Sequence, residues 1–589
     1  MMENNYGILL VLLFPAISGI IGFCLGKKNK ETRNDWIDIV MIVELVMLGY
    51  LGFVIIGKNV SISLLNDFLG LGFSLTVGMM QVLLSIVTTI FFGVTTQFMK
   101  ESMKSEEGSN RFYLLFLCMH SMVLGAFMAN NLFNFFMFAV GAFLLAYPLI
   151  MHRQDKQALK NAGIYISFLV AAITVILTGV VIVFGYLGSV SYDGMYNTIM
   201  SKGGNSQILL GGMLVFAGFA VFSGMFPVQF QITRGCSYGL IEVSTVLAGI
   251  VSRLGIYGML VLASDLFVES AFYGRVLLTG GLLSTAWGLI LTLTSTDIRK
   301  ILMGLNVAVN GFSILGTGLI SLCGNSNAYA IRSAVYMMLV SALSMLVLYM
   351  VALEQVRKIK TYEIKGLIAS GKGNRLLAVV SFLACASLGG VPGTAGFLAH
   401  SMLFKTIFEK VGWKWLITVY IILWAFLMTA VTRIFMKLFV SRREETMRIL
   451  TTEEELQPEP EDIEDSKTPY RGGEILLLFI GIIQIAVGVL PGITVDKLED
   501  IFVNFCHGKR MTQAISYFTG NVWVGFGIAV ILCILLYVNL VHGILLRAVK
   551  NKKNKELENL KNCRKTDLNH KYPIVQFLTY IIIEGNIRR

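Results

Sequence analysis

Residues 387–400 read SLGGVPGTAGFLAH, a stretch with four glycines, one proline and one histidine. They lie within an apolar run from Leu376 to Phe408 that is long enough to cross a bilayer. Pro392 lacks a backbone N–H and clashes with the preceding turn, so the helix must break there. Broken backbone inside a membrane is tolerated only where protein buries it or water reaches it, and transporters place ion sites at such breaks. His400 follows the break, so the stretch predicts a membrane protein that moves a small ion.

The composition favours the same class. The 589 residues are 55% hydrophobic and only 14% charged, with a mean hydropathy of +0.72. A soluble chain of this length would divide into several domains and carry many more charges. Long apolar runs alternate with short polar loops, which predicts an all-α polytopic membrane protein, and no ten-residue alternating segments of a barrel are visible.

The cysteines and the distribution of charge argue against a disulfide-rich, a metal-binding and a nucleic-acid-binding protein. The eight cysteines are scattered without a CxxC pair, so they predict neither a disulfide framework nor a metal site, and no cofactor is expected. The net charge of +12 could suggest nucleic acid, but the Lys and Arg residues concentrate in alternate loops. That asymmetry is the positive-inside signal, and it predicts an N-terminus outside and a cytoplasmic C-terminus.

About fifteen transmembrane helices are expected. The first apolar run has no basic leader or cleavage site, and is interpreted as a retained helix. The predicted spans are 7–25, 36–57, 74–98, 112–129, 131–150, 160–185, 207–232, 238–263, 270–294, 298–322, 327–353, 376–408, 414–440, 473–495 and 522–547.

Two proline-broken spans suggest an internal repeat. The seventh span contains FPVQF at 226–230, with Pro227 in the position that Pro392 has in the twelfth. Paired interrupted helices indicate inverted halves with sites at their centres. The predicted organisation is N-terminal helices 1–98, first repeat 112–263, second repeat 270–440, acidic cytoplasmic linker 442–472, C-terminal helices 473–547, and basic tail 548–589 with a segment that binds the membrane interface or a partner.

Four ordered stretches resemble a known family. TSTDIRKIL at 294–302, VSTVLAGIVSRLGIY at 243–257, FPVQF at 226–230 and residues 387–400 are similar to signatures of the antiporter-like subunits of respiratory complex I, Mrp-type cation/proton antiporters and complex-I-like membrane hydrogenases. The resemblance implies two inverted five-helix bundles, each with a half-channel, joined by a central chain of charged residues and water. It also implies other membrane subunits as partners, and no redox chemistry in this chain.

The family's charged positions are only partly retained. By the resemblance, the eighth-helix lysine falls on Arg253 and the twelfth-helix lysine or glutamate falls on His400. The fifth-helix glutamate and seventh-helix lysine fall on Val140 and Phe222, which cannot bind protons. The eleventh-helix His and Lys are replaced as well, by Tyr336 and Ser341.

Two candidates are titratable or charged groups at bilayer depth, where a charge costs about 2.5–3.5 kcal/mol. His400 has an ordinary pKa of about 6.5 and could relay a proton, or could simply donate to a carbonyl freed at Pro392. Arg253 does not deprotonate, so it sets a field or holds a partner, or else binds carbonyls near Pro227. Glu242 lies three turns before Arg253, too far along the helix for direct pairing.

The remaining ion-pathway candidates are the polar residues His120, Asn306 and Asn310. His120 is isolated in the fourth span, where a satisfied core histidine is the common alternative. Glu44, in the second span, could contact a neighbouring subunit or lie near an interface. Asn306 and Asn310 are four residues apart, on one helix face, and could hold channel water or form an interhelical hydrogen bond.

Three hypotheses follow. The first is a proton- or Na⁺-translocating subunit of a redox-driven or Mrp-type complex in a bacterial or archaeal membrane, conducting mainly through its C-terminal half. The second is a degenerate, non-conducting structural subunit of such a complex, which the replaced charges favour. The third is a stand-alone secondary transporter.

Overall fold

The computed structural model describes residues 6–55, 60–64, 72–104, 106–152, 156–235, 237, 239–324, 328–441, 472–491, 501, 505–507 and 519–539. Nearly all of them fall in one compact unit made of Met1–Val440 and Lys467–Cys533. A second unit comprises Ser441–Ser466 and Ile534–Arg589. The predicted tail, and the predicted linker except for Gly472, lie outside the described residues.

The architecture is a bundle of helices, as predicted. In chain order they are α1 Tyr6–Gly26, α2 Lys30–Val54, α3 Met79–Ser102, α4 Ser109–Met128, α5 Leu132–Ile150, α6 Lys156–Leu187, α7 Tyr192–Lys202, α8 Ser206–Ser223, α9 Phe230–Gly235, α10 Ile241–Leu266, α11 Ala271–Thr294, α12 Ile298–Cys323, α13 Ala328–Ile359, α14 Arg375–Gly389, α15 Ala395–Thr406, α16 Lys414–Val440, α17 Gly472–Val489 and α18 Gly520–Asn539. Fourteen of these described helices are long and apolar enough to cross a membrane. Together with the two-piece α14–α15, they occupy the fifteen predicted positions.

Helix α10 lies at the centre of the bundle, since all of its residues are buried by other parts of the protein. Helices α11 and α12 pack closely through glycines. A Cβ on Gly288 would lie 2.4 Å from the backbone nitrogen of Ala308, and one on Gly281 would lie 2.8 Å from the carbonyl oxygen of Gly311. Small residues at helix crossings allow this backbone approach, which drives helix association in membranes.

Two parts of the structure differ from the predicted spans. The third predicted span begins at residue 74, but β2 Phe73–Val77 pairs antiparallel with β1 Val60–Leu64, and the helix begins only at Met79. The cause is a two-residue alternation in FSLTV, followed by an extended Gly78 that caps α3. The short helix α7 has no counterpart among the predicted spans either; Ser191 caps its first turn.

Both predicted breaks are present, and the helix ends that precede them have the same geometry. Helices α8 and α14 are followed by the cap residues Gly224 and Gly390, each in the left-handed conformation that glycine favours. The next amide in each case reaches back to a carbonyl five residues earlier, from Met225 to Ala220 and from Val391 to Ala386. Each predicted half therefore contains one interrupted helix, while their inverted relation and the predicted domain boundaries remain predictions.

Candidate functional site

The imidazole of His400 lies immediately beside the second break. Thr394 caps α15 by accepting from the amide of Phe397, which places His400 in the middle of that helix, with its side chain buried. Its Nδ1 is 2.8 Å from the hydroxyl of Tyr420, and its ring stacks on Trp424 with centroids 4.9 Å apart. The site thus joins a titratable ring to a phenol and an indole from α16.

The carbonyl that the break releases is satisfied by a different residue. The indole Nε1 of Trp424 donates to the carbonyl oxygen of Gly389 over 2.9 Å, and the His400 ring is held against that indole. The backbone of Leu388, in the same last turn of α14, also forms a hydrogen bond with the His400 ring. The imidazole is therefore positioned by stacking, by Tyr420 and by this helix end, and the alternative in which His400 binds a freed carbonyl stays open.

Protein packs closely against most of the broken segment. A Cβ on Gly396 would meet the carbonyl oxygen of Ser387 at 1.6 Å, because the two half-helices cross there. A Cβ on Gly488 of α17 would meet the carbonyl carbon of Thr394 at 2.3 Å. Val391, at the tip of the break, is 42% exposed on the surface of the chain. The broken backbone is thus buried on the side of α17 and open at its tip.

A second polar cluster surrounds Arg253 at the centre of the bundle. One guanidinium nitrogen donates to the carbonyl of Ala248 (2.6 Å) and to Oδ1 of Asn306 (2.7 Å), and the other reaches the hydroxyl of Ser341 at 3.3 Å. The carbonyl lies in the π-helical turn Leu247–Val251, where the regular ladder is disturbed. Arg253 therefore binds the irregular backbone of its own helix, not the segment around Pro227.

Asn306 and Asn310 share one face of α12, as their spacing predicts, and both face α10. The amide of Asn310 donates to the hydroxyl of Ser252 (3.2 Å) and to the carbonyl of Ser223 (2.9 Å), the last residue of α8. Ser223 thus corresponds to Gly389: in each half, the final carbonyl before the break accepts from a buried side-chain N–H. Helices α8, α10, α12 and α13 meet in this cluster.

Glu242 lies outside the Arg253 cluster. Its carboxylate is buried, and Oε1 is 3.5 Å from the guanidinium of Arg357 on α13. The same guanidinium contacts Glu354 at 2.9 Å and also donates to the carbonyl of Phe98 on α3. This group joins three helices near one end of the bundle, and the structure does not connect it to Arg253.

His120 is not isolated, contrary to its appearance in the sequence. Its Nδ1 is 3.5 Å from Oε2 of Glu44, and both side chains are fully buried. Glu44 therefore points into the protein, and the expected contact with a neighbouring subunit or interface is wrong for this side chain. The sequence does not reveal this pair, because Glu44 and His120 are far apart in the chain and meet only when α2 and α4 pack together.

The positions that replace the family's charges are partly apolar and partly hydroxyl-bearing. Phe222 is fully buried and stacks on Phe143 of α5 with centroids 4.3 Å apart, one turn beyond Val140. Ser341 contributes its hydroxyl to Arg253, and Tyr336 is buried in the same helix. The place at which the resemblance expects the first charged pair is thus occupied by two stacked aromatic rings.

Sequence reasoning also missed a contact between α13 and α17. The amide of Gln484 donates to the hydroxyl of Ser344 over 3.0 Å, with both side chains buried. A lone glutamine in an apolar helix was the available signal. Within the described ranges, no three His, Cys, Asp or Glu side chains gather in a way that could hold a metal ion.

Comparison with known proteins places this architecture in a family. Residues 129–429, just over half of the chain, match the family described as NADH:quinone oxidoreductase/Mrp antiporter, TM. The chain therefore belongs to that family, and it is a multi-pass membrane protein.

Individual relatives are distant. A component of the Na⁺/H⁺ antiporter of Alkalihalophilus pseudofirmus is 22% identical over 69% of this chain and 81% of that protein. Hydrogenase-4 component B of Escherichia coli is 23% identical over 48% of this chain, and the match spans only 42% of that protein. A protein chain in the solved Mrp complex from Dietzia has the same fold, with a TM-score of 0.73, 18% identity, and coverage of 86% of this chain and 98% of that one.

Proposed function

We propose that this chain translocates protons or Na⁺ as a membrane subunit of a larger Mrp-type or complex-I-like assembly, mainly through its C-terminal half. The observation that supports this proposal most directly is the buried imidazole of His400, which is hydrogen-bonded to Tyr420 beside the interrupted helix. An imidazole is the side chain whose charge changes most readily near neutral pH, and the break brings polar backbone to the same depth. The relatives named for Na⁺/H⁺ antiport and hydrogenase support a role within a complex, with other membrane subunits as partners.

Arg253 has a different proposed role. A guanidinium stays protonated, so Arg253 supplies a fixed positive charge between the halves while Asn306 and Ser341 hold its orientation. That charge favours a proton on His400 moving away from the centre and disfavours a second cation at the centre. Asn310 and Glu242 complete the proposed pathway as polar groups on α12 and α10.

The test uses the intact complex in sealed vesicles, with assembly checked by purification. His400→Gln keeps an amide that can bond Tyr420 but holds no titratable proton, while His400→Ala removes both. We expect either variant, and Arg253→Ala, to lose most ion translocation with normal assembly. His152→Ala, which removes an imidazole beyond the end of α5, serves as the matched control and should translocate normally. Unimpaired translocation by assembled His400→Gln would contradict the proposal.

A non-conducting structural subunit is the alternative, and one observation favours it. The stacked Phe143–Phe222 rings fill the position at which the resemblance expects a charged pair in the first half. This alternative expects every one of these variants to translocate like the wild type once assembled. A stand-alone transporter would instead purify and transport without partner subunits.

The proposed orientation has the N-terminus outside and the C-terminus in the cytoplasm, on the basis of the basic loops. Lys28→Cys and Ser201→Cys lie on opposite sides of the membrane in the predicted topology. Compared with the unaltered chain, an impermeant maleimide should label the Ser201→Cys variant more strongly in right-side-out vesicles, and the Lys28→Cys variant only in inverted ones. The reverse pattern would overturn the orientation.

A further inference from the structure

A buried acid–base pair lies in the N-terminal part of the bundle, away from both interrupted helices. Glu44 of α2 and His120 of α4 have side chains that are 0% exposed, with Oε2 of Glu44 3.5 Å from Nδ1 of His120. His120 also stacks on Phe92 of α3, with centroids 4.4 Å apart and planes 14° from parallel. The ring is thereby held with one edge towards the carboxyl group, near the middle of three membrane-spanning helices.

The hydrogen bonds of Thr89 determine how many protons the pair holds. The Thr89 hydroxyl has a single hydrogen, which it donates to the carbonyl of Ser85 over 3.0 Å. Its 3.3 Å contact with Nε2 of His120 must then be one in which the imidazole donates. With a proton fixed on Nε2, the other nitrogen faces Glu44, and one further proton can occupy the space between Oε2 and Nδ1.

Apart from His120, the described helices around the Glu44 carboxyl group place no positively charged side chain against it. Helix α1 carries no charged residue, and in α2 the nearest one in sequence is Asp38, six positions or about 9 Å along the axis. Asp38 is engaged by Lys100 of α3, and the charged residue of α4 is Arg111, nine positions before His120. Neither oxygen of Glu44 receives a regular hydrogen bond from a described residue. Without a shared proton, the carboxylate would be a buried charge lacking compensation.

We propose that Glu44 and His120 form a binding site for one exchangeable proton in the N-terminal helices of this chain. The loaded pair has no net charge, whether the proton resides on oxygen as a carboxylic acid or on nitrogen as an imidazolium facing a carboxylate. Release leaves a single negative charge, which makes the site selective for a cation as small as a proton in this closely packed place. This site is independent of the conduction proposed through His400.

Infrared difference spectroscopy on the assembled complex, titrated from neutral to alkaline pH, tests the proposal. The wild type should show a carboxyl change that Glu44→Gln abolishes, since the amide still fits beside the imidazole but holds no proton that titrates in this range. Asp35→Asn alters a carboxylate outside the pair on the same helix and should leave that change intact. An assembled Glu44→Gln protein with the wild-type difference spectrum would overturn the proposal.

A second variant keeps the test decisive if Glu44→Gln does not assemble. In His120→Gln the proton loses Nδ1 as its second acceptor, so Glu44 should bind it less tightly and release it at a lower pH than in the wild type. An unchanged titration would overturn the shared-proton site. The two proposals fail separately. Unimpaired translocation by assembled His400→Gln would contradict conduction through His400 and leave the Glu44 signal in place, whereas an unchanged carboxyl titration in the Glu44 and His120 variants would contradict the proton site alone.

Discussion

Single glycines decide whether the interrupted helix can form at all. Gly396 lies where α15 crosses the end of α14, and a methyl group there would lie 1.6 Å from the carbonyl oxygen of Ser387. Backbone on both sides prevents a small adjustment of side chains from relieving this clash. At the scale of the residue, the absence of one Cβ is therefore what permits the break to be so tightly packed.

We expect Gly396→Ala to lower the free energy of unfolding by about 1–3 kcal/mol or more, the usual cost of overpacking. Gly163→Ala in α6 is the matched control, because a Cβ there meets nothing within 4 Å. It should be neutral or stabilising by roughly 0.5–1 kcal/mol. Denaturant unfolding of the solubilised complex measures both, and equal stability of the two variants would contradict the close crossing.

Helix ends inside the bundle depend on side chains from other helices. Gly389 and Ser223 each end an interrupted helix, and each carbonyl accepts from a buried N–H, of Trp424 and Asn310 respectively. Water does not supply these bonds in hydrocarbon, so a missing donor leaves a buried acceptor unpaired. At the scale of the element, the break is stable because a neighbouring helix completes it.

Trp424→Phe retains an aromatic ring against His400 but removes the donor to Gly389. The expected loss of stability is about 1–3 kcal/mol, the cost of an unsatisfied buried acceptor. Trp415→Phe, at a position 52% exposed on the same helix, should change stability by less than about 0.5 kcal/mol. Comparable thermal unfolding of both variants would show that the indole bond does not stabilise the break.

Charged groups far apart in the chain meet at one end of the molecule. His507 lies 3.2 Å from Asp265 at the end of α10 and 3.9 Å from Asp193 in α7, and its ring stacks on Tyr196. Its hydrogen bond with Asp265 raises the pKa of His507 above its ordinary value, although burial opposes the shift. At the scale of the whole molecule, this contact joins the connection after α17 to the first predicted repeat.

The raised pKa predicts how stability depends on pH. The folded state binds this proton more tightly than the unfolded chain, so the contribution is fully present below the ordinary histidine pKa of 6.5. It is lost as pH rises through the higher pKa of the folded protein. The difference in thermal midpoint between the wild type and His507→Gln should therefore shrink from acidic to alkaline pH. A difference independent of pH would contradict this pairing.

Much of the architecture is readable from the sequence because the bilayer imposes simple requirements on length and polarity. Apolar runs locate the spans, and Pro227 and Pro392 locate both breaks. Each follows a left-handed glycine by two or three residues, whereas Pro15 and Pro148 lie inside α1 and α5 without ending them. The i, i+4 spacing of Asn306 and Asn310 places them on one face of α12. The hairpin before α3 is hidden within an apolar run, where periodicity alone separates strand from helix poorly.

The side-chain partners are decided only by tertiary structure. Glu44 with His120, Glu242 with Arg357, and Arg253 with Asn306 each join residues on different helices. Local sequence determines which helices form and where they break, because those properties depend on neighbouring residues and on hydrocarbon. Which buried polar group meets which depends on how helices distant in sequence pack and rotate, and that information is distributed over the whole chain.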